Sequence, residues 1–176
     1  IEKAVELAQL GCLDGIVTAP INKEAINMAG CRYPGHTELL ADLTHAKESG
    51  MMIVGGPLRI MFVTTHVAIK DLPMLLTQAK IGKAIRLAHM ALTTLFGIKR
   101  PKIGVAALNP HAGEHGLFGN EEARVILPAA RAAQARGILA SDPLPADTLF
   151  GKAAKGHYDG IVALYHDQGL IPLKLV

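Results

Sequence analysis

Residues 159–169, DGIVALYHDQG, decide how this chain is read. DGIVALY (159–165) is expected to be the last strand, with Ile161–Tyr165 as an uninterrupted apolar run. A short run of β-branched and apolar residues without alternation is the signature of a strand buried on both faces, as in a parallel sheet. The run ends abruptly on His166 and Asp167, so an imidazole and a carboxylate stand where the strand leaves the core.

Working outward, similar strands alternate with helical patterns. KIGVAAL (102–108) is expected to be a strand, and MMIV (51–54) and RIMFVTTH (59–66), linked by GGPL, are expected to pair as an antiparallel hairpin. DGIVTAP (14–20) has the same apolar character and is expected to be a short buried strand ending at Pro20. Helices are expected over 1–10, stopped by Gly11, from Asn22 as N-cap to about Met28, and over 38–46 with Thr37 as cap. Others are expected from Asp71 to Gln78, over 80–96 with Ile81, Ile85, Ala88, Leu92 and Leu95 on one stripe, and over 120–136, bent at Pro128 and stopped by Gly137. LPADTLF (144–150) leads into a further short helix. Strands alternating with helices imply an α/β/α sandwich around a mostly parallel sheet.

Half of the 176 residues are hydrophobic, and the net charge is only +3. Lysines and arginines are scattered, which excludes the basic footprint of a nucleic-acid binder, and no apolar run reaches the length of a membrane span. Two cysteines without a CxxC spacing argue against a disulfide framework and for a reducing, cytoplasmic compartment. There is no P-loop, no GxGxxG and no GxSxG. No linker divides residues 1–176. The chain opens inside a helical pattern and closes on the apolar run LIPLKLV, so it is expected to be one segment of a longer protein.

Of eight histidines, four share a setting. His66 ends one strand, His111 follows another in the glycine-punctuated loop NPHAGEHGLFG, His166 follows a third, and His36 opens a helix after YPG. Ligands of open α/β sheets bind beyond the carboxyl ends of the strands. Three imidazoles delivered to that edge can hold a divalent ion while leaving positions open. Asp147 is either a helix cap or a carboxylate aimed at the site, Asp167 a metal partner, a proton handler or a turn cap, and His36–Thr37 a helix start suited to an anion. Lys174, eight residues past His166 and expected on the same edge, could pair with an anion or move a proton.

In this order, YPGHTE, TTH, LNPHAGEHGLFG, LPADTLF and YHDQGLIPLK resemble blocks of the 4-hydroxythreonine-4-phosphate dehydrogenases of vitamin B6 biosynthesis. The resemblance spans essentially the whole chain. It implies a fold like that of isocitrate and isopropylmalate dehydrogenases and a homodimer with the active site at the subunit interface. It also implies NAD- or NADP-linked oxidation of a small phosphorylated hydroxy acid, 4-phosphooxy-L-threonine, with decarboxylation to 3-amino-2-oxopropyl phosphate. His66, His111 and His166 match the family's metal ligands, His36 and Thr37 its substrate-contacting pair, and Lys174 its substrate-contacting lysine. Lys174, Asp147 and Asp167 are the candidate catalytic groups.

Three imidazoles suit zinc, cobalt or nickel, and added oxygen ligands would admit manganese or magnesium. TAPINKEAI (18–26) and the NPHAGEHGLFG loop fit equally the related branch acting on D-threonate or D-erythronate 4-phosphate. Family members are about twice this length, so the chain is expected to be their central portion and to be inactive alone. A metal-dependent hydrolase and a non-catalytic metal-binding module are the competing classes.

Overall fold

The structure is a computed structural model and describes residues 1–28, 30, 33 and 35–176. It comprises two compact units, Ile1–Ser49 and Gly50–Val176.

The first unit is helical among its described residues. Helix α1 (Glu2–Gln9) ends at Gly11, whose φ of 73° lets its N–H reach back to the Ala8 carbonyl. Helix α2 (Lys23–Met28) starts where Asn22 accepts a hydrogen bond on Oδ1 from the Ala25 N–H. Helix α3 (His36–Leu43) packs on α1. Two expectations are corrected. DGIVTAP forms no strand and Val17 is fully exposed, because the described residues of this unit offer no neighbouring strand with which to build a ladder. Thr37 is not the cap of α3: the helix begins two residues earlier, with extended Gly35 at the N-cap position.

The second unit carries the sheet. Strands β1 (Met52–Gly55) and β2 (Leu58–Phe62) form the expected antiparallel hairpin, with Gly55 opposite Leu58 across a two-residue turn. Helices α4 (Leu72–Leu75) and α5 (Gln78–Thr94) lead to β3 (Lys102–Ala106). Helix α6 (Leu127–Gln134) leads to β4 (Leu139–Leu144), α7 (Ala146–Ala154) to β5 (Gly160–Ala163), and α8 (His166–Leu175) follows. The order is β1-β2-β5-β3-β4, parallel except for the β1–β2 pair.

Strand side chains alternate between two cores. Met61, Ile103, Val105 and Val162 pack beneath α5 and α6, whereas Leu58, Ile60, Ile161 and Ala163 pack with Leu149 and Phe150 of α7 and with Leu170 and Leu173 of α8. This is the three-layer α/β/α arrangement that the buried strand pattern implied.

Local differences have local causes. The helix anticipated from Asp71 to Gln78 splits, because Thr77 is extended and its hydroxyl caps α5 by accepting from the Lys80 N–H. Leu95 falls just beyond α5 and is exposed, leaving Ile81, Ala84, Ile85, Leu87, Ala88 and Leu92 as the buried face. The helix expected over 120–136 opens with a π-turn at Glu122–Ile126, ahead of Pro128, whose missing N–H removes an α-helical bond. Strand β4 was not anticipated. It holds Ser141, Asp142 and Pro143, which read as a loop but are tolerated on an edge strand.

Candidate active site at the carboxyl edge of the sheet

Three adjacent strands, β2, β5 and β3, deliver the three candidate metal-ligand histidines to one edge. His66 stands four residues past β2, His166 opens α8 directly after β5, and His111 lies five residues past β3. The helices that follow lie on opposite faces, α6 after β3 and α8 after β5, so the crevice between these strands is a topological switch point.

The structure brings two of the histidines together. The ring centroids of His66 and His166 are 5.4 Å apart. The Nδ1 atom of His166 lies 2.7 Å from the Asp167 carboxylate, which orients the imidazole and leaves Nε2 free to bind elsewhere. Close approach of α8 to β2 makes the pairing possible: a Cβ on Gly169 would stand 2.6 Å from the Phe62 ring. His111 does not join the pair, and its ring packs instead against Phe118. Among the described residues no three His, Cys, Asp or Glu side chains form a group able to hold a metal ion.

The loop carrying His111 is wound left-handed. His111, Ala112, Gly113, Glu114 and His115 have φ of 53°, 56°, 78°, 40° and 56°. Non-glycine residues there cost about 1–2 kcal/mol each, so the turn must be held from outside. Glu122 holds it. This buried carboxylate accepts hydrogen bonds from the N–H groups of Leu108 (2.9 Å) and Asn109 (2.8 Å) and from Asn109 Nδ2 (3.0 Å). Asn109 Nδ2 also donates to Glu121, and chiefly this bond holds the Glu121 carboxyl below its ordinary value.

Two further buried polar side chains stitch the strand ends. The Thr64 hydroxyl donates to the Leu164 carbonyl at 2.7 Å. Gln168 accepts from the Leu164 N–H and donates to the Ala107 carbonyl, both at 2.7 Å. The sequence marks Glu122 only as an acid in the first turn of the 120–136 helix and gives Thr64 and Gln168 no role, because each stands among other polar residues, in TTH, NEE and HDQ.

The remaining candidates lie apart. Asp147 is exposed in the first turn of α7, where its carboxylate accepts from the Thr148 N–H. Lys174 is corrected: the chain past His166 is helical, and Lys174 occupies the last turn of α8, about 12 Å along the axis from His166. That end of α8 lies against the β1–β2 turn, with Leu173 over Gly55, away from the histidine edge. His36 and Thr37 belong to the first unit; His36 Nε2 is buried without a hydrogen-bond partner among the described residues.

The family model of the pyridoxal phosphate biosynthetic protein PdxA matches residues 1–176. The chain belongs to the PdxA family. It is 53% identical over 174 residues to the 4-hydroxythreonine-4-phosphate dehydrogenase of Geobacter metallireducens, covering 99% of this chain and 51% of that protein. It is 47% identical over 176 residues to the D-threonate 4-phosphate dehydrogenase of Salmonella typhimurium, covering 100% of this chain and 54% of the relative. The crystal structure of 4-hydroxythreonine-4-phosphate dehydrogenase from Klebsiella pneumoniae superimposes with a TM-score of 0.95 at 46% identity, covering 99% of this chain and 53% of that one. The chain thus spans about half the length of the PdxA relatives it matches. Among the described residues no helix is long and apolar enough to cross a membrane.

Proposed function

We propose that the protein containing this chain is a cytoplasmic, homodimeric, NAD-linked and divalent-metal-dependent dehydrogenase. Its substrate is 4-phosphooxy-L-threonine, oxidised at the 3-hydroxyl and decarboxylated to 3-amino-2-oxopropyl phosphate. The observation that carries this reading is the convergence of three histidine-bearing strand ends at a switch point, with His66 beside His166 and Asp167 on His166 Nδ1. Membership of the PdxA family supports it.

The donor chemistry suits zinc, cobalt or nickel, and manganese or magnesium if substrate oxygens complete the shell. His66, His111 and His166 would hold the ion, His111 swinging in from its Phe118 contact. A bound divalent ion supplies Lewis acidity to the substrate's hydroxyl and keto oxygens. Asp167 keeps the His166 ring oriented. His36 and Thr37 are assigned to substrate binding, and Lys174 likewise from its match to the family's substrate-contacting lysine, a role that requires the end of α8 to stand closer to the histidines than it does here. Asp147 is assigned to orienting a ligand at the sheet's carboxyl edge, where α7 begins.

A second reading, oxidation of D-threonate 4-phosphate, is favoured by the 47% identity to the Salmonella typhimurium enzyme. The two substrates differ at the amino group. NAD reduction by the intact protein, followed at 340 nm with each substrate and each divalent ion, separates them. The fastest turnover is expected with 4-phosphooxy-L-threonine, and a chelator should abolish it. Absence of NAD reduction with every phosphorylated acid, or full turnover in the chelator, would overturn the proposal.

A further inference from the structure

Strands β2 and β5 stay zipped to the site. The Val63 N–H donates to the Ala163 carbonyl at 2.9 Å and the Thr64 N–H to the Leu164 carbonyl at 3.2 Å, and the Thr64 hydroxyl reinforces the second contact. Strands β5 and β3 behave differently. Their ladder pairs Val105 with Val162, so Ala107 and Leu164 fall on the same rung two residues further on. At that rung the bridge is the Gln168 side chain: the Leu164 N–H donates to Oε1, and Nε2 donates to the Ala107 carbonyl. Only one orientation of the amide serves both partners, because one is a donor and the other an acceptor. The strand ends are therefore held apart by the length of an amide instead of by a single hydrogen bond. Gln168 is buried, and it lies two residues after His166 and bonds four residues before His111.

We infer that Gln168 is a positioning residue, an amide wedge that holds the β3–β5 crevice open and sets where His111 stands relative to His66 and His166. The inference rests on the reading of these histidines as metal ligands. The wedge accounts for the asymmetry of the site, in which His66 and His166 pair across the zipped strands while His111 stands on the far side of the opened crevice. The width of that crevice then sets whether one ion can be reached from both sides.

Replacing Gln168 by Met keeps its length and removes both hydrogen bonds. Replacing it by Glu keeps the acceptor for Leu164 and removes the donor to Ala107. In the intact protein, zinc and cobalt affinities are measured by chelator competition, with circular dichroism to establish folding; Gln168→Glu, the near-isostere, serves if Gln168→Met does not fold. Both variants are expected to bind metal tenfold to a hundredfold more weakly, the range typical of groups that orient ligands, while His157→Ala leaves affinity unchanged. In a double-mutant cycle, Gln168→Met combined with His111→Ala is expected to bind no more weakly than His111→Ala alone, since both changes act through one ligand. Wild-type affinity in a folded Gln168 variant, or losses that add in the double variant, would overturn the inference. No metal uptake by the wild-type protein would instead bring down the metal reading itself.

Discussion

Glu122 offers the sharpest test of how the His111 loop is held. Its Oε1 takes two backbone N–H groups, from Leu108 and Asn109, and its Oε2 takes Asn109 Nδ2. Hydrogen bonds to an ionised acceptor contribute about 1.5–3 kcal/mol each, against about 0.5–1.5 for neutral pairs. In Glu122→Gln the amide oxygen can keep both backbone donors. Each of those bonds weakens by about 1 kcal/mol, and the new NH2 group faces a donor, so the third is lost at about 1.5 kcal/mol; the expected destabilisation is about 3.5 kcal/mol. Glu122→Ala leaves the two backbone N–H groups without an acceptor, at about 1–3 kcal/mol each with the lost bonds included, so about 4 kcal/mol is expected. Urea denaturation of the intact protein at neutral pH measures both, and hydrogen exchange at Leu108 and Asn109 should quicken in step. A Glu122→Gln protein within 0.5 kcal/mol of wild type, or an alanine variant more stable than the glutamine one, would refute the reasoning.

Three other outcomes follow from the same geometry. Asp167→Asn should weaken zinc binding by about tenfold to a hundredfold, because the His166 ring loses the carboxylate that orients it, and isothermal titration reads the change. Gly169→Ala should destabilise by about 1–3 kcal/mol, since the added methyl meets the Phe62 ring at 2.6–2.7 Å and Ile60 at 3.0 Å, and α8 must lift from β2; thermal denaturation measures it. Glu121, whose carboxyl is depressed mainly by its bond from Asn109, contributes stability that is present above its unfolded value and lost as the pH falls through its lower folded value. Glu121→Gln should therefore flatten the acid limb of the stability–pH curve, below about pH 4.5, and leave the neutral region's slope unchanged.

Much of the sheet was legible because buried parallel strands and a short hairpin announce themselves locally. MMIV, RIMFVTTH, KIGVAAL and DGIVALY each contain a strand, though the last three strands end two to four residues early, and the stripe from Ile81 to Leu92 is buried as its spacing requires. Strand β4 was hidden because its Asp142-Pro143 pair is acceptable only at an edge, which is a fact of topology. DGIVTAP misled for the converse reason: apolar residues favour a strand, but a strand needs a neighbour. The run from His166 to Leu175 has Gly169 and Pro172 inside it and lacks clear helical periodicity, so the far placement of Lys174 could not be read from it.

At the site, the histidines were visible because each interrupts the end of an apolar run. The groups that hold them were not. Thr64, Glu122 and Gln168 act through backbone partners on other elements, as far apart in sequence as Thr64 and Leu164 or Gln168 and Ala107. A single polar residue carries no period that could announce such a bond.

The central claim is that His66, His111 and His166 hold one divalent ion. X-ray absorption at the zinc edge of the metal-loaded intact protein tests it most directly. The account predicts one zinc per chain with scattering from three imidazole rings, falling to two in His111→Ala. A shell built from oxygen donors alone, or one unchanged by that substitution, would contradict it.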